Sequence, residues 1–169
     1  DQFYNNCAPD CVPAYGAFLA WLGDVVPLAG WPRYRGGLNV TNGSTGDTSV
    51  YTTYADCEVM FHVATMLPHQ AADAQQVERK RHLGNDVVVL VFREPGAPPL
   101  DPAAFKSQFN HVFIAVEPDP AAAAHAPAYR VAVALKQGVA EHGPPLPAPA
   151  AGATSHAATP ALRHWLLAK

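Results

Sequence analysis

The sequence predicts an α/β fold, a single domain with a mixed central β-sheet flanked by helices, and three observations predict it. Apolar residues recur at spacings of three and four across residues 12–22, the period of an amphipathic helix. A mostly polar helical stretch ending at Leu83 leads straight into residues 87–92, an apolar run without alternation that reads as a strand covered on both faces. Two more strand patterns follow at 111–116 and 129–135, the second alternating. The 169 residues suit one domain. At 49% hydrophobic and 15% charged, the chain has enough aliphatic and aromatic side chains for a sizeable core, which excludes wholesale disorder.

Each element has its own signal. Val12, Tyr15, Phe18, Leu19 and Leu22 form the stripe of the first helix, and Gly23 with Asp24 ends it. After a turn through Gly30, Trp31 and Pro32, residues 34–54 are rich in Gly, Asn, Ser and Thr and read as short strands joined by tight turns. Residues 58–64 are β-branched and aromatic between Asp56 and Pro68, so they read as a strand. Asp73 caps a helix over 74–83, with Gln76 in capping-box position and Gly84 as a left-handed stop. Only Ala74, Val77 and Leu83 are apolar in it, which predicts an exposed helix with one thin buried seam. Beyond residue 117 lie the final strand, Pro- and Ala-rich loops, and a last helix opened by Thr159 and Pro160 and carrying Leu162, Trp165, Leu166 and Leu167.

Composition removes several function classes. A formal charge of −3 gives no global basic field for wrapping nucleic acid. No apolar run approaches the roughly 20 residues that cross a bilayer, so no membrane span is expected. The opening residues lack a secretory signal pattern and read as a domain boundary. Cys7, Cys11 and Cys57 cannot all pair, which fits a reducing, cytoplasmic setting. The triplets at Asn39 and Asn42 match the glycosylation pattern but read as polar loop. There is no Gly-rich phosphate loop, dinucleotide fingerprint or nucleophile elbow. Cys7 and Cys11 have no second pair at zinc-finger spacing, and His62, His69, His82 and His111 are too scattered for a metal site. A self-contained hydrolase would need a pair such as His62 and Glu58, which lie four apart along a strand and meet only loosely.

With charge so scarce, the run Arg79, Lys80, Arg81 stands out. Arg81, His82 and Asn85 fall at i, i+1 and i+4 and project toward one side of a helix end. One account is a well-capped surface helix whose C-terminal cations suit the macrodipole. The other is a functional tip, because a carboxamide can accept a hydrogen bond from a water and donate one to a phosphate oxygen.

Five ordered blocks bear on that choice: Tyr34-Arg35-Gly36-Gly37-Leu38, the turn from Thr45-Gly46 to Tyr51-Thr52, Glu58-Val59-Met60-Phe61-His62-Val63, Arg79-Lys80-Arg81-His82-Leu83-Gly84-Asn85-Asp86, and Phe109-Asn110-His111-Val112-Phe113. Together, over about residues 18–116, they resemble the Rap GTPase-activating protein domain. Residues 92–97 and 165–169 look most like its signal-induced-proliferation-associated subgroup. The resemblance implies a partner, a Rap-type small G protein in its GTP state, whose hydrolysis the domain stimulates. Asn85 is implied as an asparagine thumb supplied in trans. His82 and Arg81 are implied to support the thumb helix and touch the partner, and Lys80 and Arg79 to engage its acidic switch surface. Gly84, Asp86 and Arg35 are expected to be structural supports. No cofactor of its own is implied, since the partner binds GTP and magnesium. Rheb or Ral as the substrate, a non-catalytic binding module, and a homodimer formed through regions outside these residues all stay open. Asn39 stands where the family's Asp is expected.

Overall fold

The computed structural model describes residues 12–123 and 125–169, so Cys7 and Cys11 lie outside the described residues. The chain forms two compact units, Asp1–Leu83 and Gly84–Lys169. Among the described residues no helix is long and apolar enough to cross a membrane.

In the first unit, α1 (Pro13–Leu22) starts with proline in its first turn, where a missing N–H costs nothing, and buries Phe18, Leu19 and Leu22. Gly23 stops it: its N–H donates to the Leu19 carbonyl at 3.1 Å. A Cβ at Gly23 would sit 2.4 Å from the Tyr51 carbonyl oxygen, so only glycine lets the chain pass this close to the sheet. That sheet is antiparallel, in the order β1 (Asp24–Pro27), β2 (Thr48–Tyr54), β3 (Cys57–Phe61). Ala55 and Asp56 close the β2–β3 hairpin with φ of 46° and 63°, the two-residue left-handed turn that matches strand twist. Val26, Leu28, Leu38, Tyr51, Met60 and Leu67 form the core, with Trp31 and Leu83 packed on it. Residues 34–47 are turns rather than strands, and β1 is a strand the sequence pattern does not announce.

Regular helix in α2 begins at Val77 and runs to Leu83, three residues later than Asp73 and Ala74 predict. The cause is Gln76, which takes φ 49° and is 3% exposed. Its amide nitrogen donates to the carbonyls of Gln70 and Asp73, both at 2.6 Å, which ties off the preceding loop. Asp73 still caps, accepting from Gln75 N–H at 2.9 Å and from Val77 N–H at 2.8 Å.

The second unit holds the mixed sheet, in the order β4 (Val88–Phe92), β5 (Val112–Pro118), β6 (Ala128–Leu135), β7 (His156–Ala157). β4 and β5 are parallel and the other pairs antiparallel. Every residue of β4 is half-buried. The strand covered on both faces is β5, whose Val112, Phe113 and Ile114 are fully buried because it runs between β4 and β6. Thr159 caps α3 (Pro160–Leu167), which buries Leu162, Trp165 and Leu166. The described α/β architecture is thus carried by two sheets, and the mixed one follows the polar helix as predicted.

Candidate functional site

In the first unit the residues singled out from the sequence gather around a turn. Gly36 and Gly37 have φ of 57° and 83°, conformations that favour glycine, and Leu38 N–H closes the turn on the Arg35 carbonyl at 2.9 Å. A Cβ on Gly36 would meet the Met60 Cβ at 3.3 Å and His62 Nε2 at 3.5 Å. His62 Nε2 lies 2.7 Å from the Gly36 carbonyl oxygen, and the His62 ring stands edge-on to His82 of α2 with centroids 5.2 Å apart. The Tyr34-to-Leu38 turn, the end of β3 and the last turn of α2 therefore meet at one histidine pair. Arg35 contributes its backbone to this turn, and its side chain is exposed.

The basic run divides. Arg79, expected on the partner-facing surface, is 2% exposed. Its Nη2 donates to the Leu67 carbonyl at 2.9 Å, and its Nε is shared between the carbonyls of Leu67 and Pro68 at 3.2 Å each. This corrects the expectation: Arg79 fastens α2 to the chain at 67–68 and is not part of the exposed surface. A planar guanidinium suits that fork. Lys80 is half-buried and its charge helps hold the Asp73 carboxyl below its usual range, behind the larger effects of the Val77 and Gln75 N–H bonds. Arg81 is exposed and makes an i,i+3 ion pair with Glu78 at 3.7 Å, an exposed contact worth at most about 1 kcal/mol.

In the second unit Gly84, Asn85 and Asp86 lead into β4. Asn85 is exposed. The Gly84 carbonyl accepts from the Ser107 hydroxyl, and the Asp86 carbonyl accepts from Asn110 Nδ2 at 2.6 Å. The Val87 carbonyl accepts from His111 N–H at 2.9 Å and Val112 N–H at 3.1 Å. Asn110 is 1% exposed and Phe109 beside it 58% exposed. Sequence reasoning gave Ser107 no role and Asn110 only a place in a block. The available signal was a polar side chain at the mouth of an apolar strand.

Glu58 and His62 do not form a catalytic pair, because each is engaged elsewhere. Tyr51 Oη donates to Glu58 Oε1 at 2.5 Å, Arg33 Nε pairs with the same oxygen at 2.6 Å, and Tyr34 N–H donates to Oε2 at 3.1 Å. The Tyr51 bond, with lesser help from Tyr34 N–H and Arg33, holds the Glu58 carboxyl below its usual range. Burial first, then the bond to Glu58, raises Tyr51. Among the described residues no group of three or more His, Cys, Asp or Glu side chains is placed to hold a metal ion. Asn39 accepts from Thr41 N–H at 2.8 Å, Asn42 N–H at 2.9 Å and the Thr41 hydroxyl at 3.1 Å through its side-chain oxygen. An aspartate would accept the same bonds, so Asn at this position keeps the turn.

Comparison with known proteins bears on the family and the fold. Residues 3–169 match the family described as Rap/ran-GAP. The chain is 46% identical over its whole length to human (Homo sapiens) signal-induced proliferation-associated protein 1, of which it spans 16%. It is 48% identical over 87% of its length to a GTPase-activating protein of Dictyostelium discoideum, of which it spans 14%. Among solved structures, the GAP domain of TSC2 is similar at 30% identity with a TM-score of 0.73, covering 83% of this chain and 75% of that one. Over nearly all of its length, then, the chain belongs to the Rap/ran-GAP family.

Proposed function

We propose that this chain stimulates GTP hydrolysis on a Rap-type small G protein, with Asn85 entering the partner's nucleotide site. The observation that carries the reading is an exposed carboxamide on a segment whose backbone carbonyls at Gly84, Asp86 and Val87 are all hydrogen-bonded. GTP hydrolysis is chiefly positioning and electrostatics, so a carboxamide that accepts from the attacking water and donates to a phosphate oxygen is suited to the step. Activators of small G proteins of this general kind speed hydrolysis about 10⁵-fold, roughly 7 kcal/mol of barrier. One amide supplies only part of that. Ordering of the partner's own catalytic segments and exclusion of water supply the rest.

In this reading GTP and magnesium are the partner's, and the domain brings no cofactor. Arg81 and Lys80 steer the acidic partner surface, His82 stiffens the last turn of α2 through its contact with His62, and the setting is the cytoplasm. Two relatives support it by name: the Dictyostelium protein as a GTPase-activating protein, and a mouse (Mus musculus) protein, 46% identical over 88% of this chain, as a GTPase-activating Rap/Ran-GAP domain-like protein. The test is single-turnover hydrolysis with GTP-loaded Rap, Rheb, Ral and Ras. Acceleration greatest on Rap is expected, and a complex that forms on all four without faster hydrolysis overturns the reading in favour of a binding module.

A further inference from the structure

The segment bearing Asn85 is held by side chains as well as by strand pairing. β4 and β5 are parallel and start together, Val88 opposite Val112, so the chain entering each strand comes from the same side. Residues 84–87 and 107–111 therefore run beside each other. Val87 meets its neighbours through ordinary backbone bonds. The carbonyls of the residues before and after Asn85 do not. The Gly84 carbonyl, part of the peptide that contains the Asn85 nitrogen, is taken by the Ser107 hydroxyl. The Asp86 carbonyl is taken by the Asn110 carboxamide at 2.6 Å.

Both supports are themselves fixed. Ser107 Oγ accepts from Phe109 N–H at 3.0 Å, and the Ser107 carbonyl accepts from Lys136 Nζ. Asn110, at 1% exposure, lies two residues before Val112, where the fully buried part of β5 begins. Burying a carboxamide is unfavourable unless it is hydrogen-bonded, and the Nδ2 bond to the Asp86 carbonyl offsets part of that cost. We infer that Ser107 and Asn110 are positioning residues, which fix the Gly84–Asn85 peptide and, one peptide beyond Asn85, the Asp86–Val87 peptide, and so set where the Asn85 carboxamide stands when a G protein docks. The inference rests on the GTPase-activating reading above. Neither side chain need touch nucleotide or partner. Their effect belongs to orientation, where a displacement of about 1 Å can lower a rate about 100-fold.

The experiment measures single-turnover hydrolysis by GTP-loaded Rap over a range of domain concentrations, for the wild type, Asn110→Ala, Ser107→Ala, Ser107→Thr and Asn85→Ala. Asn110→Ala and Ser107→Ala are expected to lower the saturating rate about 10- to 100-fold while the half-saturating concentration stays within about twofold. Ser107→Thr keeps the hydroxyl and is expected to keep most of the rate. If Asn110→Ala fails to fold, the two Ser107 variants decide alone. Wild-type saturating rates in Ser107→Ala and Asn110→Ala, alongside a collapsed rate in Asn85→Ala, overturn the positioning role and leave the thumb intact. A loss carried by the half-saturating concentration also overturns it, because the residues would then serve docking. If Asn85→Ala itself keeps full stimulation, the parent reading falls and this role falls with it.

Discussion

Arg79→Leu separates an interior role for this arginine from a surface one. Leucine keeps apolar bulk beside α2 but removes every donor to the carbonyls of Leu67 and Pro68. Leaving a buried carbonyl unsatisfied costs about 1–3 kcal/mol. Leu67 is 4% exposed and bears the larger share, while half-buried Pro68 can recover part of its bond from water. Relief of the guanidinium's own desolvation offsets some of the loss, so the net is about 3 kcal/mol. With a urea dependence of about 2–3 kcal/mol per molar, the unfolding midpoint falls by about 1 M or more. Urea titration followed by tryptophan emission reads this, because Trp21 and Trp31 lie in the same unit as Arg79. An unchanged midpoint together with a raised half-saturating concentration for the G protein would refute the reasoning and return Arg79 to the partner surface.

Three further outcomes follow from the same contacts. Glu58, Asp73 and Asp119 have carboxyls held below their usual range, first by the Tyr51 hydroxyl, the Val77 N–H and the Ser155 hydroxyl respectively. A depressed folded-state pKa gives stability that is present above the unfolded value and lost as pH falls through the folded one. Stability should therefore decline below about pH 5, and Glu58→Gln should flatten that slope when urea midpoints are compared between pH 3 and 7. Gly36→Ala forces φ 57° on a side-chain-bearing residue and crowds Met60 and His62, so the thermal midpoint should fall by several degrees, for about 1–2 kcal/mol. Arg81→Ala should raise the half-saturating concentration of the G protein at low salt and lose that effect at high salt, with stability unchanged, since its ion pair with Glu78 is exposed.

The elements legible in the sequence are those whose signals are local. α1 follows from apolar spacing and the Gly23 stop, and α3 from apolar spacing, the Thr159 cap and Pro160 in its first turn. β1 was not legible because it is four residues long, ends at Pro27 and buries only Val26. The start of α2 is not legible because Gln76 departs from helix to bond Gln70, a contact no helical pattern contains. Nor does spacing reveal that β5, rather than β4, is the strand covered on both faces, since that depends on strand order.

The site divides in the same way. Asn85 stands out only through resemblance, since its spacing fits a capped surface helix equally well. Arg79 looked solvated because a basic run usually is, and its acceptors at Leu67 and Pro68 lie 12 and 11 residues away in the chain. Ser107 and Asn110 lie 23 and 24 residues from their acceptors and come beside them only through the parallel pairing of β4 with β5.

The central claim is that the Asn85 carboxamide acts in the transition state of another protein's reaction. Single-turnover hydrolysis by GTP-loaded Rap, with saturating wild-type or Asn85→Ala domain, tests it most directly when binding to the GTP state is measured on the same samples. The account predicts a rate at least about 100-fold lower with binding retained, because a group that acts in the transition state contributes little to ground-state affinity. Undiminished stimulation by Asn85→Ala would contradict it.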